Sequence, residues 1–334
     1  MADGSQPDPR RRDSSRRDSS KGGSTWTVVL AGLVNIVIGI AKLAGGILSG
    51  SSAMMSEAAH SFADTLNEVF LMTALRRSRK PADTEHPFGY GMERYFWSLL
   101  AAVGIFVLGA GFSAFEGLQA LLGQSTEGSP ELSYIVLAGA FLVESGSLLR
   151  AGWQLRKESQ KAGSSMLHHL LHDAEPAVRA VFSEDGVAVI GLVLAGGGLA
   201  LEHATGQVVW DAIASFAIAL LLVAIAYALG RQNKDYLIGK APKQELVDAI
   251  GEEIERSPSI DRVLELQTMM IGPDDILVAA RVELAKDSTA AQLEEAADEV
   301  DTRLRSRFHE VRHVFLDPTS RRGAPAAAGR ADPH

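Results

Sequence analysis

His60 and Asp64 stand four residues apart in an apolar stretch, and a second set of ionisable residues, Glu184 and Asp185, interrupts another apolar stretch later in the chain. On a helix, a spacing of four stacks both side chains on one face, one turn apart, as two ligands of a single cation require. Charged groups at bilayer depth are costly and tend to be functional; one carboxylate near a helix centre costs about 2.5 to 3.5 kcal/mol on translocon-type scales. A divalent cation shared by His60, Asp64, Glu184 and Asp185 would neutralise the carboxylates and orient the imidazole. The chain has no cysteine, so thiolate sites and disulfides are excluded and any metal must be held by nitrogen and oxygen.

The elements that must position these groups are membrane spans. The 334 residues are 46% hydrophobic, gathered into apolar blocks that alternate with charged ones. Segments of about 20 apolar residues are the signature of spanning helices. Six are marked: Trp26 to Leu48, Ser52 to Leu75, Arg94 to Leu122, Leu132 to Trp153, Val178 to Leu201 and Val208 to Leu229. The alternative, buried helices of a large soluble protein, would need a polar shell that this chain cannot supply. Arg76, Arg77, Arg79 and Lys80 follow the second segment and Arg156, Lys157 and Lys161 follow the fourth, whereas Gly123 to Glu131 and Glu202 to Gln207 lack Lys and Arg. Basic loops stay in the cytoplasm, so both chain ends are expected there.

Met1 to Ser24 is rich in Arg, Ser and Asp without an apolar core, unlike a secretory signal, and its aspartates speak against a mitochondrial presequence. It reads as a disordered tail. After Leu229 the pattern becomes that of a soluble domain in which acidic side chains outnumber basic ones. Leu246, Val247, Ile250 and Ile254 make one helical face; Leu293, Ala296, Ala297, Val300, Leu304 and Phe308 make another. Between them, Val263 to Ile271 and Ile276 to Leu284 read as strands about Pro273-Asp274-Asp275, with Val311 to Leu316 as a third. The result is a compact α+β domain whose size and acidity argue against nucleic-acid binding. An intramembrane metalloprotease is disfavoured because the chain lacks HExxH and Gly-x-Ser-x-Gly elements. A channel would need a continuous polar pore lining, and a metal sensor would keep the ligands but carry no flux.

Several motifs together resemble the cation diffusion facilitator family of divalent-metal transporters, from about Trp26 to Pro318. They are Ser56-Glu57-Ala58-Ala59-His60-Ser61 with Asp64 and Asn67, Asn35 with Lys42, His86-Pro87-Phe88-Gly89-Tyr90-Gly91 with Arg94, Asp211-Ala212-Ile213-Ala214-Ser215, and Leu237-Ile238-Gly239. The resemblance implies an α-helical membrane protein of six transmembrane helices with a small α+β, ferredoxin-like cytosolic C-terminal domain. It divides the chain into a disordered cytosolic tail at 1–24, a transport domain at 25–231, the cytosolic domain at 232–318 and a disordered tail at 319–334. It also implies a homodimer in a bacterial plasma membrane, with a transported divalent cation, no resident cofactor and no enzymatic activity. In that family two ligands of the second span meet two of the fifth. His60, Asp64 and Asp185 match; Val181, at the remaining position, cannot bind a metal, so the fourth ligand is Glu184, a water, or a carboxylate of another span.

Other residues carry open alternatives. Glu144 either completes the site, relays protons or pairs with Lys42, and the pair is favoured; Glu57 either gates access to His60 or caps the helix start. Asp83 and His86 resemble a shallower metal position of some family members, but Pro87 and its glycines also suit a tight turn. His168, His169 and His172 with Asp173 could collect cations before the fifth span, and His309 and His313 flank the last strand turn. Protons and cations compete for the same unprotonated ligands, which is a physical basis for antiport. One imidazole with several carboxylates accepts zinc, manganese(II), iron(II) or cobalt(II), and the family resemblance puts zinc first.

Overall fold

A computed structural model of the chain describes residue 33 and residues 35–123, 130–163, 165–170, 176–285 and 290–319. Both expected tails, apart from Thr319, lie outside these residues. The chain divides into two compact units. One comprises the residues up to Phe70 with Leu100–Ala228, and the other Leu71–Leu99 with the residues from Leu229 onward.

The first unit is helical. Its helices are α1 (Asn35–Ser49), α2 (Ser52–Arg77), α3 (Glu93–Leu121), α4 (Pro130–Ala162), α5 (Pro176–Thr205) and α6 (Val209–Leu237), some of which run on into the second unit. Gly50, at φ +71°, turns the chain between α1 and α2 in the left-handed region that glycine adopts without strain. Within α3 the hydrogen-bond ring widens to a π-helical stretch at Ile105–Gly111. The packed surfaces are built from small residues, among them Ala53, Ala58, Ala63, Ala102, Ala188, Ala212 and Ala219, as close helix approach in a bilayer requires. Large apolar side chains such as Val37, Ile135, Leu142, Leu149 and Leu220 point outward, where lipid replaces water.

Among the described residues, four helices are long and apolar enough to cross a membrane: Glu93–Leu121, Glu131–Lys161, Phe182–Thr205 and Val209–Leu237. This makes the chain a membrane protein, while the expected count of six is met only in part. The described part of α1 is shorter than a full span. Helix α2 has the length, at 26 residues, but carries Glu57, His60, Asp64, Glu68, Arg76 and Arg77, and so departs from the apolar pattern on polarity. Arg76 and Arg77 close its last turn, where cations complement the helix dipole.

The C-terminal part of the second unit contains α7 (Gln244–Glu255), β1 (Ile260–Met270), β2 (Ile276–Leu284), α8 (Ala290–Arg307) and β3 (Val311–Thr319). The sheet order is β1-β2-β3, with β1 antiparallel and β3 parallel to β2. In β2, Ile276, Val278, Ala280 and Val282 are buried at alternate positions and meet Ile250 and Ile254 of α7 and Val300 and Leu304 of α8. The buried Glu253 ties the two helices: its carboxylate accepts from Arg256 and Arg307 and pairs with the charge of Arg303, whose guanidinium donates to the Glu253 backbone carbonyl. The α+β reading is met, but a ferredoxin-like β-α-β-β-α-β unit needs one more strand before the first helix, and the described order is α-β-β-α-β.

Candidate metal centre

The first turn of α2 sets the height and rotation of everything the helix carries. A helix start leaves its first N–H groups without intrahelical partners. Here the groups of Ser52 and Ala53 donate to the carboxylate of Asp211 on α6, at 2.5 and 3.3 Å. Met54 N donates to Ser51 Oγ, and Met55 N to the Ser51 carbonyl. Ser51 Oγ and Ser52 Oγ also donate to Asp211, at 2.7 and 2.6 Å. Asp211 is 1% exposed, so a buried carboxylate of another helix caps α2.

Two turns on, His60 Nε2 lies 3.5 Å from Asp64 Oδ2, the meeting that the four-residue spacing requires. His60 is buried, and neither of its ring nitrogens makes a hydrogen bond among the described residues. Buried polar nitrogens without partners are uncommon and ask for an explanation such as a missing ion.

Asp64 lines a cavity of about 50 Å³ together with Asn35 and Ile38 of α1, Ser61 and Glu68 of α2, Glu144 of α4, and Glu184, Asp185 and Ala188 of α5. That volume holds more than one water-sized body. The acids of α5 therefore face the same space as Asp64. Glu184 accepts from Asn67 Nδ2 at 3.1 Å, Asp185 accepts from Ser147, and Glu68 accepts from Asn35 Nδ2 at 2.9 Å. Asp185 Oδ2 is buried without a hydrogen-bond partner. Among the described residues, no three His, Asp or Glu side chains are arranged to hold a metal ion at once. The geometry is thus an acidic cavity beside an unpartnered imidazole, with the carboxylates of Glu68, Glu184 and Asp185 tied to neighbouring amides and a hydroxyl.

The structure corrects two sequence expectations. Lys42 does not pair with Glu144. It donates to Glu57 Oε2 and to Ser61 Oγ, each at 3.0 Å, and both Lys42 and Glu57 are fully buried. Glu57 accordingly does not cap α2, which starts at Ser52 and is capped by Asp211. Glu144 is left to the cavity. The side chain of Val181 lies outside the described residues.

In the second unit, Asp83 and His86 form a turn. Asp83 Oδ1 accepts from the backbone N–H of Glu85 and His86, at 3.0 and 2.8 Å, and Oδ2 accepts from Tyr90 Oη at 2.7 Å. These bonds, the Tyr90 hydroxyl foremost, hold the Asp83 carboxyl below its usual range, and the Tyr90 phenol is pushed up to about 12. His86 Nδ1 is 3.7 Å from Asp83 Oδ1 and its ring packs on Tyr90. Gly91 follows, where a Cβ would meet the Ile271 carbonyl and Gly272, and Phe88 sets its edge against His313. His169 is buried 3.6 Å from Glu158, and His172 and Asp173 lie outside the described residues. Burial, then Arg305 and Arg312, lower the pKa of His313.

Sequence reading missed Glu68 as a cavity residue and Asp211 as the α2 cap. Glu68 continues the series His60 and Asp64 by one further turn, which was a usable signal. Asp211 is too distant in sequence from Ser52 for any local pattern to pair them.

The family model for the cation efflux transmembrane domain matches residues 28–238. The chain is 32% identical over 77% of its length to the mitochondrial proton-coupled zinc antiporter SLC30A9 of Xenopus laevis, covering 46% of that protein. It is 34% identical over 70% of its length to metal tolerance protein C4 of Arabidopsis thaliana, covering 51% of it, so it spans about half the length of these relatives. It is 23% identical to the magnetosome protein MamM of Magnetospirillum gryphiswaldense over 86% of each chain. A solved C-terminal domain of MamM in a nickel form is 19% identical, with a TM-score of 0.22 over 24% of this chain and 99% of that one, a likeness too low to bear on the fold. The extent of the domain match and the identity to these relatives make this chain a member of the cation efflux family, the cation diffusion facilitators.

Proposed function

We propose that the chain exports a divalent transition-metal cation, zinc foremost, from the cytosol in exchange for protons, without enzymatic activity. The observation that carries this reading is the cavity between α1, α2, α4 and α5, lined by Asp64, Glu68, Glu144, Glu184 and Asp185 beside the unpartnered imidazole of His60. His60, Asp64 and Asp185 are the metal ligands, and Glu184 takes the place that Val181 cannot fill.

The chemistry follows from competition. A cation needs the imidazole neutral and the carboxylates ionised, so each proton taken up weakens the site and each cation bound expels protons. A cavity that opens alternately to the two sides would load the cation where protons are scarce and release it where they are plentiful. The name of the Xenopus relative, a proton-coupled zinc antiporter, supports both the coupling and the metal. The excess of carboxylate over imidazole in the lining supports a second reading, an exporter of manganese(II) or iron(II), whose hard ions favour oxygen. The basic loop after α2 and the one after α4 support cytosolic chain ends in a bacterial plasma membrane, and family membership supports a homodimer.

Proteoliposomes test the proposal. Zinc flux should follow an imposed proton gradient and disappear in Asp64→Ala and in Asp185→Ala. Flux unchanged in both variants refutes the site, and flux indifferent to the gradient refutes the coupling.

A further inference from the structure

We infer that Lys42 is a positioning residue that withholds the Glu57 carboxylate from the cation site, with Gly191 of α5 as the seat into which that carboxylate is drawn; the inference rests on the export reading above. Lys42 and Glu57 are both at 0% exposure, and Lys42 Nζ bridges Glu57 Oε2 and Ser61 Oγ. Ser61 lines the cavity and adjoins His60. Glu57 stands three residues before His60, about one turn away on the same face of α2. Its Oε1 has no hydrogen-bond partner and lies where a Cβ on Gly191 would sit.

An ion pair at this depth is costly, and well-packed apolar residues would often serve stability as well or better. The pair therefore asks for a reason beyond packing. The cavity already carries the carboxylates of Asp64, Glu68, Glu144, Glu184 and Asp185. One more anionic ligand would tighten the hold on a divalent cation, and a carrier must bind weakly enough to let go. Lys42 prevents this twice over. It occupies Glu57, and its ammonium, bonded to Ser61 Oγ, stands beside the cavity that Ser61 lines.

Removing the positive and the negative charge separately distinguishes this role from a structural one. Zinc and manganese(II) are titrated onto the full-length protein in detergent, and zinc flux is measured in proteoliposomes. Lys42→Met should tighten zinc binding by about tenfold and slow turnover, whereas Glu57→Gln, which leaves the lysine charge unopposed, should weaken binding by about tenfold. The double variant Lys42→Met with Glu57→Gln should return to within about threefold of the unaltered protein, and Lys42→Arg should resemble it. If Lys42→Met fails to fold, Gly191→Ala keeps every charge, pushes the carboxylate from its seat and should tighten binding severalfold. Gly196→Ala, with nothing near its Cβ, should not. Both single charge variants moving zinc affinity in the same direction, or not at all, overturns the inference. An unaltered protein that binds zinc without flux sinks the export reading while the sign test still stands, and one that binds neither metal sinks both.

Discussion

Replacing Asp211 by alanine removes the acceptor for four donors at once: Ser51 Oγ, Ser52 N, Ser52 Oγ and Ala53 N. The hydroxyls have other uses. Ser52 Oγ lies 2.9 Å from Ser215 Oγ, and Ser51 Oγ already accepts from Met54 N. The two backbone N–H groups do not, since both residues are buried, at 4% and 0% exposure, in the first turn of α2. Leaving a buried donor unsatisfied costs about 1 to 3 kcal/mol, so Asp211→Ala should destabilise the protein by about 4 kcal/mol. Asp211→Asn keeps one carbonyl acceptor but turns the other oxygen into a donor and loses the charge assistance, a cost of about 2 kcal/mol. Ser52→Ala removes a hydroxyl but neither N–H, and should cost less than about 1 kcal/mol. Unfolding of the three variants in mixed micelles, followed by circular dichroism, gives the ranking directly. Equal stability of Asp211→Ala and Ser52→Ala refutes the view that the carboxylate of α6 sets the start of α2.

Two further outcomes concern the loop between α2 and α3. Gly91→Val would drive side-chain atoms into the Ile271 carbonyl and Gly272, an overpacking worth about 1 to 3 kcal/mol, so hydrogen exchange at residues 81–92 and 271–275 should quicken; unchanged exchange rejects the contact. Asp83 has a folded-state pKa below its unfolded one, so its contribution to the turn is present above the ordinary carboxylate range and is lost as pH falls through the depressed value. Tyr90→Phe removes the largest cause, and the carboxyl should then titrate at higher pH by NMR, an unmoved midpoint counting against the bond.

What the chain revealed in advance was what periodicity governs. Helix α2 begins at Ser52 as expected, β2 occupies Ile276–Leu284 as expected, and β1 and β3 shift only at their ends, because runs of apolar residues with period 3.6 or 2 are decided locally. The ligand pair was legible for the same reason, since His60 and Asp64 meet within one helix. Partners on different helices were not. Lys42 chose Glu57 over Glu144, a choice set by how α1 lies against α2 and by the absence of a side chain at Gly191, neither of which leaves a mark in spacing. Asp83 also accepts from the Tyr90 hydroxyl and from the backbone of its own turn, partners that its spacing from His86 does not announce. Glu184 stands one residue from Asp185, so on an ideal helix it points about 100° away; both nonetheless line the cavity, with Glu184 held by Asn67.

The measurement that bears most directly on the account is the location of the cation itself. Zinc-edge anomalous scattering from the zinc-loaded protein, paired with X-ray absorption at the same edge, should find one ion about 2.0 to 2.2 Å from an imidazole nitrogen of His60 and from carboxylate oxygens of Asp64 and Asp185. Zinc bound only at Asp83 and His86 or elsewhere in the C-terminal unit, with no ion between α2 and α5, would contradict it.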